Sequence, residues 1–167
     1  MSKYFLTITH ALCMAMLTVL LSVVSANANS AIALSSVVEL EVVAIDEQGK
    51  QKIKRVPAEK VTPGSEVIYT TRFKHNGSTP AADIVISNPI PEHTVYKLNS
   101  ATGVNTQTMF SVDGGRTFHL PSELKVIGQD GATRVAEAKD YTDIRWTYQG
   151  ELKPGDEGAV EFRVVLK

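Results

Sequence analysis

The sequence has almost no cysteine: Cys13 is the only one among 167 residues, and it lies in an apolar run near the N-terminus. If that run is removed as a signal peptide, the chain that remains has no thiol. This excludes disulfide bonds, thiolate metal sites and a cysteine nucleophile. Small exported domains often depend on disulfides because their cores are small, so this chain must be stabilised by apolar burial alone.

An excess of charge of either sign is also absent. Lysine and arginine together number 17, and aspartate and glutamate 18, which gives a formal net charge of −1. The charges are well mixed, so the chain has no electrostatic footprint for nucleic acid or for an anionic membrane. The only basic cluster comprises Lys50, Lys52, Lys54 and Arg55, and we expect it to be the solvated rim of a hairpin.

Catalytic and metal-binding motifs are missing as well. No nucleophile motif such as G-x-S-x-G accompanies His75, His93 and His119, the histidines beyond the apolar run, so we predict no catalytic residue and no enzyme. Zinc is not expected because no His-x-His or H-E-x-x-H pair is present, and no cofactor is expected. Turn aspartates leave weak calcium binding open, although hydrogen bonds within their own turns explain them better. These residues are Asp46, Asp113, Asp130 and Asp156.

The first residues have the parts of a secretory signal peptide. Lys3 is followed by an apolar run over residues 5–24 and by Ala26-Asn27-Ala28, a small-x-small cleavage site. We predict a signal peptide over residues 1–28, cleaved after Ala28, with a second possible site after Ala33. A membrane anchor is the alternative, since the run nearly reaches the ~20 residues that span a bilayer, but polar residues interrupt it. We therefore expect an exported protein with no membrane span after cleavage, periplasmic, secreted or at the surface of a Gram-negative bacterium.

Period-two alternation of apolar and polar residues dominates the remaining chain. In the last segment, Val160, Phe162, Val164 and Leu166 alternate with polar residues, which is the pattern of a strand with one buried face. Four other segments give predicted core faces: Val38, Leu40, Val42 and Ala44; Val67, Tyr69 and Phe73; Ile84 and Ile86; Ile144, Trp146 and Tyr148. We expect Trp146 to fill the centre of the core.

Turn signals separate these segments, among them Asp113-Gly114-Gly115, which reads as a tight hairpin turn. No segment has clear helical periodicity, and residues 132–141 are predicted to be a loop with at most one helical turn. We therefore predict an all-β fold, an immunoglobulin-like antiparallel β-sandwich of about 7–9 strands over residues 37–167. Residues 29–36 are predicted to be a flexible extension, although residues 31–34 alternatively suit a strand donated to another subunit.

Several of these motifs together resemble a known family. They are the Pro-Gly turn and strand at residues 63–70, Asn76-Gly77-Ser78, residues 81–91 ending in Asn88-Pro89-Ile90-Pro91, and residues 152–156 with the closing strand. The chain from residue 38 to residue 167 is similar to the conserved-repeat "domain of unknown function eleven" of bacterial and archaeal cell-surface proteins. The resemblance implies the sandwich fold and an envelope location, but no chemistry. Family members often form tandem arrays, whereas a single copy implies a soluble periplasmic or released protein.

The leading functional hypothesis is a non-catalytic envelope module, structural or protein-binding, that acts through sheet edges and loops. Its partners are expected to be envelope proteins, and self-association through edge strands is a further possibility. The hypothesis predicts exposed apolar residues that are out of phase with the core faces. The candidate interaction surface consists of Val43, Ile45, Ile68, Val85 and Val165.

A soluble module for a glycan or another small ligand is the second hypothesis. It predicts a concave pocket with aromatic side chains, and Tyr96 and Tyr141 are its candidate platform because they lie close to loops. An enzyme is a distant third hypothesis, which requires a cleft with perturbed acids or bases.

Overall fold

The computed structural model describes residues 31–167. The predicted signal peptide and its cleavage site after Ala28 lie outside the described residues. The second possible cleavage site follows Ala33, which the structure places inside a strand, opposite Lys74. No helix among residues 31–167 is long and apolar enough to cross a bilayer.

Strands make up most of this part of the chain, which contains eleven strands and one 3-10 helix. The bounds are β1 Ile32–Ile45, β2 Gln51–Pro57, β3 Glu66–His75, β4 Val85–Pro89, β5 Thr94–Tyr96, β6 Thr102–Gly103, β7 Thr106–Ser111, β8 Lys125–Ile127, β9 Thr133–Val135, the 3-10 helix Ala138–Asp140, β10 Asp143–Tyr148 and β11 Glu157–Leu166.

The strands form two main sheets. Six strands form the first sheet, in the order β2-β1-β3-β11-β5, with β6 also paired to β11. Three strands form the second sheet, in the order β4-β10-β7, while β8 and β9 form a separate hairpin. The named strands pair antiparallel throughout. The predicted all-β antiparallel sandwich is therefore confirmed. It has eleven strands where 7–9 are predicted, because four strands of two or three residues, β5, β6, β8 and β9, are too short to show alternation.

The core lies between the two sheets and is centred on β10 and β11. Trp146 and Phe162 are fully buried, and their ring centroids are 6.1 Å apart. Tyr69 of β3 stacks on the other side of Phe162, with a centroid distance of 5.1 Å. The indole Nε1 of Trp146 is buried without a hydrogen-bond partner, so packing alone holds this side chain. The predicted central position of Trp146 is confirmed.

The second sheet is narrower than the first and covers only part of it. Asn88 of β4 donates a hydrogen bond across the core to Thr71 of β3 (2.9 Å), so β4 lies opposite β3. On the far side, the ring of Phe110 in β7 packs 5.1 Å from that of Tyr96 in β5. The three strands of the second sheet thus face β3, β11 and β5. Strands β1 and β2, which we call the ribbon, extend beyond the edge of the second sheet.

Strand β1 begins earlier than the sequence analysis predicts. It starts at Ile32, and its first half, through Glu39, pairs with β3, while Glu39 to Ile45 pair with β2. Residues 32–36 are therefore part of the domain and not an extension that precedes residue 37. In this structure they pair with β3 of the same chain. The sequence pattern hides this continuity because Ser35 and Ser36 interrupt the apolar alternation.

Residues 132–141 contain the predicted single helical turn, at Ala138–Asp140. Arg134 fixes this turn by donating two hydrogen bonds to the carboxylate of Asp140, at 2.6 and 2.9 Å. The same segment also contains β9, which the sequence analysis does not predict. A strand of three residues is too short to show alternation.

Candidate functional site

The inner face of β1, which is in phase with the core, is mostly uncovered. Leu34 is 59% exposed, and Val38 and Val42 are 38% and 39% exposed. The sequence analysis predicts one buried face for Val38, Leu40, Val42 and Ala44. In the structure only Leu40 and Ala44 are half-buried. That prediction is wrong for Val38 and Val42 because the second sheet ends at β4 and does not reach beneath β1.

The outer face of the ribbon carries a second apolar patch, at the end that leads into the β1–β2 turn. Val43 of β1 lies directly opposite Ile53 of β2, and Ile45 shares their face. The three side chains are 66%, 65% and 73% exposed. Val43 and Ile45 are thus exposed and adjacent. Ile53 escapes sequence reasoning because Lys52 and Lys54 flank it, and only the pairing of β1 with β2 brings it to the patch.

The other three residues of the candidate interaction surface do not join this patch. Ile68 is fully buried, so its predicted exposure is wrong. Val85 is exposed but lies on β4, in the other sheet, and Val165 is half-buried opposite Glu66. The five candidates therefore do not form one surface.

An ion-pair lattice on the outer face of the first sheet explains the burial of Ile68. Arg163 of β11 lies opposite Ile68 of β3. Its guanidinium donates hydrogen bonds to both carboxylate oxygens of Glu41, at 2.9 and 3.1 Å, and to Glu66 at 2.8 Å. Arg55 makes a two-pronged contact with Glu161 at 2.6 and 3.0 Å. Side chains from four strands thus close over Ile68. Sequence reasoning cannot find such a lid, since Arg163 lies more than 90 residues from Glu41 and Glu66, as Arg55 does from Glu161.

The lattice favours the ionised form of two of its carboxylates. Hydrogen bonds from the Arg163 guanidinium hold the pKa values of Glu41 and Glu66 below their ordinary range, and Lys97 adds to the effect at Glu66. A depression of about 440 Å³ adjoins these side chains. A general acid needs a raised pKa, whereas these carboxylates are paired acceptors. Glu41 and Glu66, which line the depression, therefore act as hydrogen-bond acceptors within the lattice.

Two lysines border the uncovered inner face of β1. Lys54 lies opposite Val42 and Lys52 opposite Ala44, so both side chains are on the inner face of the ribbon. The structure separates them from Arg55, which belongs to the outer lattice. No carboxylate lies at an inward-facing position of β1 or β2. The inner face is therefore apolar along β1 and cationic along the part of β2 near the turn.

Tyr96 and Tyr141, the candidate ligand platform, are brought together by the fold. Their ring centroids are 5.9 Å apart, and Phe110 packs against both. Both rings are buried, however, and burial raises the pKa of Tyr141. They are thus part of the core and not an exposed platform. A cavity of about 270 Å³ adjoins the cluster, with Leu98 and Pro121 also in its lining.

His75 and the turn aspartates that the sequence analysis considers have local structural roles. His75 is buried; its Nδ1 accepts from the Gly77 N–H at 2.9 Å, and its Nε2 donates to the Thr79 carbonyl at 2.7 Å. The carboxylate of Asp113 accepts hydrogen bonds within its turn, above all from Thr117, and these lower its pKa. Each of the other turn aspartates also accepts a backbone hydrogen bond nearby: Asp46, Asp130 and Asp156. Residues 31–167 contain no group of three metal-ligating side chains.

Comparison with known proteins adds no relative to these observations. A scan against models of protein families finds no match, and a search of curated proteins also returns none. The class that the fold and the surfaces define is therefore an antiparallel β-sandwich whose first sheet is wider than its second. Its most distinctive feature is the ribbon, with apolar side chains exposed on both faces.

Proposed function

We propose that the protein is a non-catalytic interaction module of the bacterial cell envelope, which binds another protein through the ribbon. The observation that carries the proposal is the exposure of apolar side chains on both faces of β1. Large exposed apolar patches, especially those rimmed by polar residues, mark interaction sites in soluble proteins. An exported location is supported by the signal-peptide pattern of residues 1–28 and by the resemblance to "domain of unknown function eleven".

A non-catalytic role is supported by the partners of the charged groups. The carboxylates with lowered pKa values are engaged in ion pairs or turns, as Glu41 and Glu66 are with Arg163 and Asp113 is with Thr117. Buried His75 uses both ring nitrogens in its own loop. Their engagement within the fold supports a structural role for these groups.

The proposal is tested by site-specific photo-cross-linking in living cells. A photoreactive residue at Ile45 or Ile53 is expected to give a discrete cross-linked product, because both side chains lie in the exposed patch. The matched control position is Ile127, which is 78% exposed on the separate β8–β9 hairpin. Identical products at Ile127 and at Ile45, or no product at either ribbon position, would contradict the proposal.

A soluble ligand-binding module is the second candidate function, and the cavity beside Tyr96, Phe110 and Tyr141 favours it. At about 270 Å³ the cavity has room for one small ring, such as a sugar residue. Asn99 and Thr108 in its lining supply polar groups.

The test of this alternative is a titration with N-acetylglucosamine and its short oligomers, followed by amide chemical shifts. Binding in the cavity is expected to shift the signals of residues 96–101 and to be weakened by Thr108→Val. A response that is spread evenly over the surface, or none at millimolar sugar, would contradict ligand binding at this cavity.

A further inference from the structure

The second sheet ends one strand short beneath β1. Strand β4 lies opposite β3, as the Asn88–Thr71 hydrogen bond shows, and β1 is the next strand to β3 in the first sheet. Neighbouring strands in a sheet lie about 4.8 Å apart, so a strand added to the free edge of β4 would lie under β1. There it would cover Leu34, Ser36 and Val38, whose side chains point inward.

The free edge of β4 has backbone groups available for such a strand. The Tyr148 N–H donates to the Ile84 carbonyl, and the Ile90 N–H donates to the Thr142 carbonyl. Bonded and non-bonded pairs alternate along an antiparallel ladder, and β4 pairs with no strand other than β10. The N–H and C=O groups of Val85 and Ser87 therefore point away from β10, toward the place that an added strand would take.

The other sheet edges of the two main sheets are better protected. Strand β2 carries lysines, Arg55 and the terminal Pro57, which discourage the pairing of edges. Strand β7 is partly covered, because Phe110 exchanges two backbone hydrogen bonds with His119. At the remaining edge, β5 and β6 have only three and two residues. The edge of β4 is therefore the most accessible, and Pro89 limits its length.

Charge indicates the chemistry of the segment. Beyond Val38, toward the turn of the ribbon, the inner face continues with Leu40 and Val42 and is flanked by Lys54 and Lys52. No carboxylate faces these two lysines from β1 or β2. A complementary segment therefore has apolar side chains at alternate positions and carboxylates at the end nearest Pro89 of β4.

We propose that the protein accepts an extended, acidic-ended segment of another protein as an added strand on β4, beneath β1. This inference rests on the proposed interaction function and names the kind of partner. A second copy of the chain fits less well, since two ribbons packed face to face would bring the lysines into a shared apolar interface without carboxylates to pair with them.

The probe for the test is a blocked eight-residue peptide, Glu-Glu-Val-Ser-Val-Thr-Val-Thr, whose N-terminal glutamates reach the Pro89 end when it runs antiparallel to β4; the matched peptide begins with Lys-Lys instead. The protein is used as the cell produces it. The acidic peptide is expected to shift the amide signals of Val85 and Ser87 and to slow their hydrogen exchange, while the basic peptide binds roughly tenfold more weakly or not at all.

Three variants sharpen the test. Ser87→Pro removes an outward-pointing N–H without removing a bond to β10, and it is expected to abolish the response to the acidic peptide. Leu34→Lys places a charge in the uncovered row and is expected to do the same, which keeps the test decisive if Ser87→Pro does not fold. The pair Lys52→Glu and Lys54→Glu is expected to weaken binding roughly tenfold, whereas Lys125→Glu on β8 leaves it unchanged.

The outcomes separate this inference from the proposed function. If a photoreactive residue at Val42, on the inner face of the ribbon, gives the same cross-link in wild type and in a folded Ser87→Pro variant, the ribbon binds a protein but not by strand addition, and the inference is overturned. A chain that sediments as a dimer, and becomes monomeric on Leu34→Lys, overturns it in favour of a second copy. If the wild-type protein gives neither a cross-link nor a response to the acidic peptide, the inference and the proposed function are overturned together.

Discussion

Strands β1 and β11 lie on either side of β3 and have similar alternating sequences, yet they meet opposite environments. In β11, Val160, Phe162 and Val164 are at most 1% exposed. In β1, Leu34 is 59% exposed although it lies on the same face of the same sheet. The difference arises from the second sheet, which has a strand opposite β11 and none opposite β1. Alternation thus reports that a strand has an apolar face, but not what covers that face.

The energetic consequence follows from buried area. Burial stabilises a structure by roughly 25 cal/mol per Å² of apolar surface, so an inward-facing residue of β11 contributes far more than the corresponding residue of β1. The apolar character of exposed Leu34, Val38 and Val42, unlike that of the rest of the inward row, which packs partly against the core, is therefore little explained by the stability of this chain. It is explained if another protein supplies the missing cover.

The largest expected effect is at the centre of the core. Phe162→Ala is expected to lower the free energy of unfolding by about 3–5 kcal/mol, because it removes a ring packed between Trp146 and Tyr69. Leu34→Ala, on the inner face of β1, is expected to cost less than about 1 kcal/mol. Urea unfolding, followed by tryptophan fluorescence, measures both. Equal losses would show that β1 is covered in the isolated protein.

A smaller effect is expected where β11 passes Phe73. Gly158 lies opposite Phe73, and a Cβ atom built on it would overlap the Phe73 ring. Gly158→Ala is expected to destabilise the protein by about 1–3 kcal/mol, because the buried ring must shift. The control is Ala159→Ser, at the next and exposed position, with an effect within about 0.5 kcal/mol. An equal effect in the two variants would show that Phe73 yields without cost.

The sequence is sufficient to predict the core strands and the class of fold. Trp146, Ile144 and Phe162 alternate with polar residues in segments bounded by turn residues, and such local patterns determine which face a strand buries. The start of β1 is missed because serines interrupt the pattern. The width of the second sheet is missed for a different reason: it depends on which strands meet in space, and no local pattern encodes that.

The candidate site is predicted only in part. Val43 and Ile45 are identified by their phase, whereas Ile53 requires the pairing of β1 with β2, which brings it opposite Val43. Ile68 also lies out of phase with the core residues of its strand, which predicts exposure, but side chains from distant strands close over it. Phase assigns a residue to one face of a sheet, and long polar side chains on that face determine whether it is exposed.

The ion-pair lattice makes the contribution of the outer face of the first sheet to stability dependent on pH, in contrast to that of the apolar inner face. Because the folded state lowers the pKa values of Glu41 and Glu66, their contribution is present above the unfolded-state pKa and is lost as pH falls below about 4.5. Arg163→Met is expected to destabilise the protein by about 1 kcal/mol at pH 7 and by less at pH 3. Unfolding curves at both pH values measure the difference.

Arg72→Met is the control for that prediction. Arg72 is an exposed arginine of β3 on the same outer face, outside the lattice. Its replacement is expected to leave the pH dependence of stability as in wild type. If Arg163→Met and Arg72→Met give the same pH profile, the lattice is not the source of the lowered carboxylate pKa values.

The smallest expected effect on stability is at the tip of the ribbon, and it is the one that separates folding from binding. Ile45→Thr is expected to change the free energy of unfolding by no more than about 0.5 kcal/mol, since the side chain is 73% exposed and threonine suits a strand. The identical change at Ile144, which is fully buried, is expected to cost several times more, because it leaves a hydroxyl in the core. In cells, Ile45→Thr is nevertheless expected to reduce cross-linking from a photoreactive residue at Ile53. If a residue contributes nothing to folding but is needed for that contact, its apolar side chain serves to bind a partner. If Ile45→Thr instead destabilises the protein as much as Ile144→Thr does, the patch belongs to the fold and the ribbon is not a binding surface.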